Sequence, residues 1–260
     1  MLSHIDAFAR GIIRDAGAVL LRGFRAPDLV VEYKSRTDLV TNIDRESERL
    51  IFDALRREFP GHVIIAEEGS RAEEGDDYVW YVDPLDGTNN FAHGIACFCV
   101  SIGVYSRREG RMAAGFVYDP FHDELFHALH GSGSFLNGAP IRVSTTDAVD
   151  ISIVATGFPY NKKETENNNS REFCSVMPEV QGVRRFGSAA LDLCSVACGR
   201  IDGYWERQLK PWDCAAGAII AEEAGGRVTR YDGSNFDPEY PEVLATNGRI
   251  HERMMALLRV

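Results

Sequence analysis

Nothing in this 260-residue sequence approaches the ~20 consecutive apolar residues that a membrane-crossing helix requires, and the opening stretch MLSHIDAFAR has no basic region followed by an apolar run. A soluble, cytoplasmic protein with no membrane partner is expected. Cysteine is thinly spread: Cys97, Cys99, Cys174, Cys194, Cys198 and Cys214 form no CxxC pair and lack the density of a disulfide scaffold. That argues against zinc and structural bridges and for reduced thiols. Positive charge is also short. With 28 Lys and Arg against 39 Asp and Glu the formal net charge is -11, which repels nucleic-acid phosphates at a distance and excludes nucleic acid as the main ligand. A phosphate-bearing small substrate would need local positive charge, and few lysines or arginines stand near the motifs described below.

Several motifs of phosphate and metal chemistry are missing as well. There is no GxxxxGKS or GxxxxGKT phosphate loop and no HExxH, and the glycines of GSGSFLNG miss the GxGxxG spacing because position 136 is leucine. An EF-hand loop counted from Asp83 fails, since Leu85 falls at its third position and Gly94 at its twelfth.

What is present is an ordinary globular composition, 45% hydrophobic, over a length that suits one domain across 1–260, with any subdivision expected near 145–150. Ile5, Phe8, Ile12, Ile13, Ala16, Val19 and Leu20 recur at helical spacing, so a helix over 3–24 is predicted, then a strand over 28–33 and a helix over 45–59 ended by Pro60-Gly61. Short apolar runs predict strands at 63–66, 78–82, 97–105, 113–118, 151–156 and 243–246, and HGSGSFLNGAPI reads as a turn-rich connection. SAALDLCSVACG and DCAAGAIIAEEAGG read as Ala-rich helices, each followed by a glycine suited to a left-handed cap, and a last helix starts near 249. Strands and helices mix without strict alternation. A layered α/β or α+β sandwich fits better than a barrel.

Carboxylates recur where these apolar runs stop. In VWYVDPLDGTNNFAHG the run Val79–Val82 ends at Asp83, and Asp86 follows across Pro84. The simplest account is an Asp-Pro turn in which Gly87 takes unusual dihedrals. The chemical account is that Pro84 stiffens the turn, Gly87 removes bulk, both aspartates face one spot, and a helix starting near Thr88 offers free N–H groups there. Glu67 and Glu68 end another apolar strand and suit a solvated strand terminus. Asp213 suits an N-cap of its Ala-rich helix, and Asp44 suits a capping box, Thr41-x-x-Asp44. Taken together, these acidic residues sit where open α/β sheets expose a binding crevice. If Glu67, Asp83, Asp86 and Asp213 converge, each pair ~4 Å apart repels by about 4 kcal/mol at an effective dielectric of 20. Oxygen-only ligands without His or Cys point to Mg²⁺.

The ordered set AEEG, DPLDGTNNF, PWDCAAG and EEAGG resembles the inositol monophosphatase family, within the lithium-sensitive, magnesium-dependent phosphatase superfamily, over Lys34 to about Asn247. The resemblance implies a phosphomonoesterase in an αβαβα sandwich, a homodimer, with two or three Mg²⁺. It implies that Glu67, Asp83 and the Leu85 carbonyl hold one ion, that Asp83, Asp86 and Asp213 hold a second, and that Glu67 contributes to a third. Thr88, Asp44 and Glu67 are the implied catalytic residues, Thr88 partnered by Asp44 to orient and deprotonate water. Gly87 and Thr88 N–H groups would cradle phosphate, and Lys34 and Asp38 would lie on a mobile loop beside the metals. Asp86, Asp213, Glu206 and the Ala189 backbone are the implied substrate contacts, Glu206 standing seven residues before Asp213.

The substrate implied is a small phosphorylated polyol, myo-inositol monophosphate first. Rivals are fructose 1,6-bisphosphate, histidinol phosphate and 3′-phosphonucleotides, and a rival of another class is a regulatory binding protein that keeps the fold. The sequence departs from the family pattern at GFPYNKKETENNNS, where Pro159-Tyr160-Asn161 replace small hydroxyl residues and an arginine. Lys162 and Lys163 there suit a solvated loop or a second phosphate. Cys97, Cys99, His122, His127 and His130 read as packing or surface residues.

Overall fold

The computed structural model describes residues 1–72, 75 and 77–260. Its first helix, α1 (Leu2–Gly23), buries the helically spaced set Ile5, Ile12, Ile13, Ala16, Val19 and Leu20. β1 (Val31–Tyr33) and β2 (Leu39–Thr41) form an antiparallel ribbon. The strand expected over 28–33 is therefore shorter, because Leu29 N–H closes a turn onto the Ala26 carbonyl at 3.2 Å. α2 (Asn42–Glu58) starts earlier than the sequence suggested, at the capping box itself: Thr41 N–H donates to Asp44 Oδ2 at 2.9 Å and Thr41 Oγ1 accepts from Ile43 N–H at 3.2 Å.

β3 (Val63–Ala66), β4 (Arg71–Ala72), β5 (Tyr78–Asp86), the short α3 (Thr88–Ala92), β6 (Cys99–Ser106), β7 (Arg111–Asp119), β8 (Glu124–Leu129), β9 (Ser134–Leu136) and β10 (Ala139–Pro140) follow. They build an eight-stranded sheet of order β10-β9-β8-β7-β6-β5-β3-β4, antiparallel except for β3 beside β5. Four of its strands correct the sequence reading: β4 and β8 were not expected, and HGSGSFLNGAPI holds the β9–β10 hairpin rather than turns alone.

The rest of the chain adds β11 (Ile153–Thr156), α4 (Ser170–Val176), β12 (Gly182–Arg184), α5 (Ala189–Ala197), β13 (Gly203–Arg207), α6 (Pro211–Glu223), β14 (Arg227–Thr229), β15 (Glu242–Thr246) and α7 (His251–Leu258). A second sheet takes the order β12-β11-β13-β15-β14, with β11 parallel to both of its neighbours. α1 and α2 cover one face of the large sheet, α5 and α6 lie between the two sheets, and α4 and α7 cover the outer face of the second. This is the expected αβαβα layering.

Because both faces of the large sheet are covered, β6 and β7 read as nearly continuous apolar runs. α6 is buried without a break from Cys214 to Ala221, since it meets sheet on one side and α5 on the other. Small residues set its depth. A Cβ on Gly115 would stand 2.5 Å from the Ala216 carbonyl oxygen, and one on Gly103 2.8 Å from Ala215 Cβ. The N-terminal end of α6 is thereby fixed against β6, next to the crevice. Gly199 (φ 73°) and Gly225 (φ 90°) end α5 and α6 in the left-handed region, as their sequence positions suggested.

Under α7, His251 is fully buried, with Nε2 2.9 Å from Thr229 Oγ1 and Nδ1 2.9 Å from Thr246 Oγ1. Thr229 Oγ1 also reaches the Arg230 carbonyl at 2.7 Å and donates there, so His251 donates through Nε2 and accepts at Nδ1. Burial, then Arg227, lower its pKa to about 4, with Glu252 opposing. The folded state thus prefers neutral imidazole, and stability from this group is complete above the unfolded value of ~6.5 and is lost as pH falls from there toward 4. The whole window is worth about 3 kcal/mol. Urea unfolding between pH 7 and pH 4 is expected to show a steeper acid loss in the wild type than in His251→Asn; parallel curves would refute it.

Candidate active site

β3 and β5 run parallel with Ala66 opposite Val82, so Glu67 and Asp83 emerge at the same end of the large sheet. Asp83 Oδ1 accepts the Leu85 N–H at 3.0 Å, and the β5–β6 register shifts between Asp83 and Asp86 across Pro84, which has no N–H to give. Gly87 then takes φ 90°, and a Cβ there would lie 2.8 Å from the Cys97 carbonyl oxygen. Only glycine suits that position. Asp86 is held from far along the chain: Ser188 Oγ donates to its Oδ2 at 2.6 Å and Ala190 N–H at 2.8 Å, so the start of α5 caps onto the turn. Ala189 lines the cavity, and its backbone also bears on Asp86.

Asp213 corrects the sequence reading. It is not the N-cap of α6 but stands in its first turn, after Pro211 at the first helical position, and its Oδ2 accepts the Lys210 N–H at 2.7 Å. The carboxylate still faces the same place. Glu67, Asp83, Leu85, Asp86, Gly87, Thr88, Ala189, Glu206 and Asp213 all line one cavity of about 960 Å³. Asp44 joins them indirectly, through the Thr88 hydroxyl, which lies 3.0 Å from Asp44 Oδ1 and 2.9 Å from the Leu85 carbonyl.

Electrostatically the crevice is a carboxylate trap. Burial pushes the Asp83 carboxyl well above the ordinary range, and the charges of Glu67, Asp86 and Asp213 push it further. Burial and then Glu67 raise Asp213 in the same direction, and burial raises Glu67 and Asp86 against the groups that bond them. Asp44 rises to about 6, burial outweighing its bonds from Thr41. Cations answer this, and here the sequence expectation of few nearby positive residues is corrected: Lys34, Arg36, Lys162, Lys163, Arg185 and Lys210 all line the cavity. Lys34 Nζ lies 3.1 Å from Glu67 Oε1 and also bonds Glu68. Burial alone would lower its pKa, but the two glutamates raise it, so it stays charged. The Lys34–Asp38 loop is the turn of the β1–β2 ribbon, closed by Lys34 N–H on the Asp38 carbonyl at 2.9 Å, and Thr37 Oγ1 donates to the Tyr160 carbonyl at 2.8 Å.

Sequence reasoning missed several parts of the wall. Gly157 is one: a Cβ there would collide with the Glu206 carboxylate, so its absence lets Glu206 reach the cavity, where Tyr204 OH donates to it. Burial raises Glu206 to about 7. Asn169 is another. Fully buried, it accepts from Trp205 Nε1 at 2.9 Å and donates to the Gly157 carbonyl at 2.6 Å, pinning both ends of the 157–169 loop. Arg185 and Asp192 were also not anticipated. Among the residues read as inert, His122 bonds Asp119 at 2.8 Å, His130 pairs with Glu223 at 3.4 Å, and all six cysteines are free thiols.

Among the described residues, no three His, Cys, Asp or Glu side chains form a ready-made coordination shell. Each carboxylate is instead held by its own neighbours, Glu67 by Lys34, Asp83 by the Leu85 amide, Asp86 by Ser188 and the Ala190 amide, and Asp213 by the Lys210 amide. The donor set nonetheless fits a hard divalent cation: buried, oxygen-only, mutually repelling groups on one wall. Among the described residues no helix is long and apolar enough to cross a membrane.

The profile of the Inositol monophosphatase family matches residues 1–260. The chain is 48% identical over 230 residues, 88% of its length and 79% of the relative's, to the Inositol-1-monophosphatase of Synechocystis sp.. It is 41% identical over 248 residues, 95% of its length and 92% of the relative's, to a protein of Escherichia coli named Nus factor SuhB. The structure of Inositol monophosphatase from Anabaena (Nostoc) sp. superposes with a TM-score of 0.89 at 44% identity, covering 99% of this chain and 96% of that one. With a family match from end to end and the same fold in its relatives, this chain belongs to the inositol monophosphatase family, a family of metal-dependent phosphatases.

Proposed function

We propose that this chain is a magnesium-dependent phosphomonoesterase acting on myo-inositol monophosphate or a similar polyol phosphate. The observation that carries the reading is the single cavity that gathers Glu67, Asp83, Asp86 and Asp213 beside a Thr88 hydroxyl 3.0 Å from Asp44. Glu67, Asp83 and the Leu85 carbonyl would hold one Mg²⁺, Asp83, Asp86 and Asp213 a second, and Glu67 part of a third. When bound, such ions polarise phosphoryl oxygens and lower the pKa of water.

The remaining work falls to the chain. Thr88 Oγ, with its own proton turned to Asp44, is free to accept a proton from a water in the cavity. As that proton passes to Thr88 and the Thr88 proton to Asp44, the water oxygen bonds phosphorus and the P–O ester bond breaks, the departing alkoxide taking a proton from solvent. No covalent enzyme intermediate is needed. Gly87 and Thr88 N–H groups would hold the phosphate, while Glu206 and the Ala189 backbone would meet ring hydroxyls. Because phosphate-monoester hydrolysis is among the slowest uncatalysed reactions, most of the acceleration must be electrostatic.

A phosphate-release panel of inositol, fructose, histidinol and nucleotide phosphates tests this. Release from inositol phosphate with Mg²⁺, its loss with EDTA and its inhibition by Li⁺ are the expected results. A folded protein that releases phosphate from none of them in ample Mg²⁺ would sink the reading. It would favour instead a binding role, the reading to which the likeness to a protein named Nus factor lends weight. A homodimer is expected by light scattering.

A further inference from the structure

Asp192 is an acidic residue in an apolar helix. It stands in the first turn of α5, among Ala189, Ala190, Leu193, Cys194, Val196 and Ala197, and is 2% exposed. Its Oδ1 is buried with no hydrogen-bond partner among the described residues. The helix N-terminus gives a favourable field but no donor, and a buried carboxylate oxygen left without one is costly enough to need a reason. Burial, then the charges of Glu206 and Asp86, push the Asp192 carboxyl up, and the Arg185 guanidinium opposes them. Asp192, Glu206 and Arg185 all line the cavity that holds the phosphatase site.

Glu206 is already tied to Tyr204 and brought in beside Gly157. Asp192 is tied to nothing comparable. We propose that Asp192 is a specificity-determining residue, its carboxylate accepting a hydrogen bond from a substrate hydroxyl neighbouring the one met by Glu206, so that the ester preferred carries adjacent hydroxyls. This rests on the phosphomonoesterase reading above and narrows it to vicinal polyol phosphates. A neutral hydroxyl suits the position better than an ammonium group, because Arg185 already supplies the cation on that wall and would repel a second. In the free protein a water can serve the same oxygen, and the hydroxyl replaces it on binding.

The test compares myo-inositol 1-phosphate with cyclohexyl phosphate, the same ring without hydroxyls, in Mg²⁺. Asp192→Leu is expected to lower kcat/KM for the inositol ester by about 10- to 100-fold, mainly through KM, while cyclohexyl phosphate changes less than about twofold. Asp192→Asn, which keeps an acceptor oxygen, is expected to recover part of that loss. If Asp192→Leu melts below the assay temperature, Asp192→Ser and Asp192→Asn carry the same comparison. Equal losses on both esters, or none on either, would overturn the inference alone and leave the phosphatase reading standing. A wild-type preference for histidinol phosphate that Asp192→Leu abolishes would overturn the hydroxyl assignment in favour of an amine. Wild-type protein that cleaves no polyol phosphate would instead remove the reading on which it rests.

Discussion

Asp213→Asn is expected to remain folded and to lose at least about 100-fold in phosphate release from inositol phosphate at saturating Mg²⁺. The two halves of that result have separate causes. The fold keeps what it uses, because the helix contact is a hydrogen bond from Lys210 N–H to Asp213 Oδ2 at 2.7 Å, and an asparagine amide oxygen accepts the same bond. The rest of α6 is held by Gly103, Gly115 and the buried run Cys214–Ala221, none of which the substitution touches. Removing one charge from a group that repels Glu67 and Asp86 also relieves strain in the crevice, so the melting temperature should hold or rise. Under the proposed magnesium site, turnover would lose an anionic oxygen ligand that an amide replaces poorly for a hard cation. Thermal melting and phosphate release on the same preparation separate the two, and unchanged turnover would take Asp213 out of the site.

The difference between what could be read from the sequence and what could not follows the range of the interactions. The turn Asp83-Pro84-Leu85-Asp86-Gly87 was legible because its parts act within five residues: the Asp83 carboxylate bonds the Leu85 amide and Gly87 takes a left-handed φ. The capping box at Thr41 and Asp44 and the glycines after α5 and α6 were legible for the same reason. Arg185 and Asp192 were not, because what makes them notable is the docking of α5 on the β5 turn through Asp86, Ser188 and Ala190, partners about a hundred residues apart. β13 was missed because GYWER is short and ends in two charged residues, and it is a strand only because β11 and β15 flank it. Asp213 was assigned the wrong helix position because Pro211 and Trp212 precede it, and proline at the first turn starts the helix before the acidic residue rather than at it. Placing the four carboxylates in one crevice needed the family resemblance, since no local pattern fixes a contact between Glu67 and Asp213.

Thr88→Val is expected to lower kcat by about 100- to 10,000-fold with KM little changed. Valine preserves the shape of the threonine side chain and deletes only the hydroxyl that lies 3.0 Å from Asp44 and 2.9 Å from the Leu85 carbonyl. The proposed ground-state hold of the Gly87 and Thr88 amides on the phosphate would be untouched, so the loss should sit in the chemical step. A fully buried Asp44 then loses one partner while keeping its bonds from Thr41, which predicts destabilisation of about 1–3 kcal/mol in urea unfolding. Asp44→Asn attacks the same relay from its other end: the amide can still meet the Thr88 hydroxyl but is a far weaker proton acceptor. If the two groups act as one unit, the double variant Thr88→Val with Asp44→Asn should be no slower than the worse single variant. Multiplying losses would mean instead that Asp44 and Thr88 act on turnover independently and that Thr88 works through another group, which would dissolve the relay while leaving the carboxylate site in place.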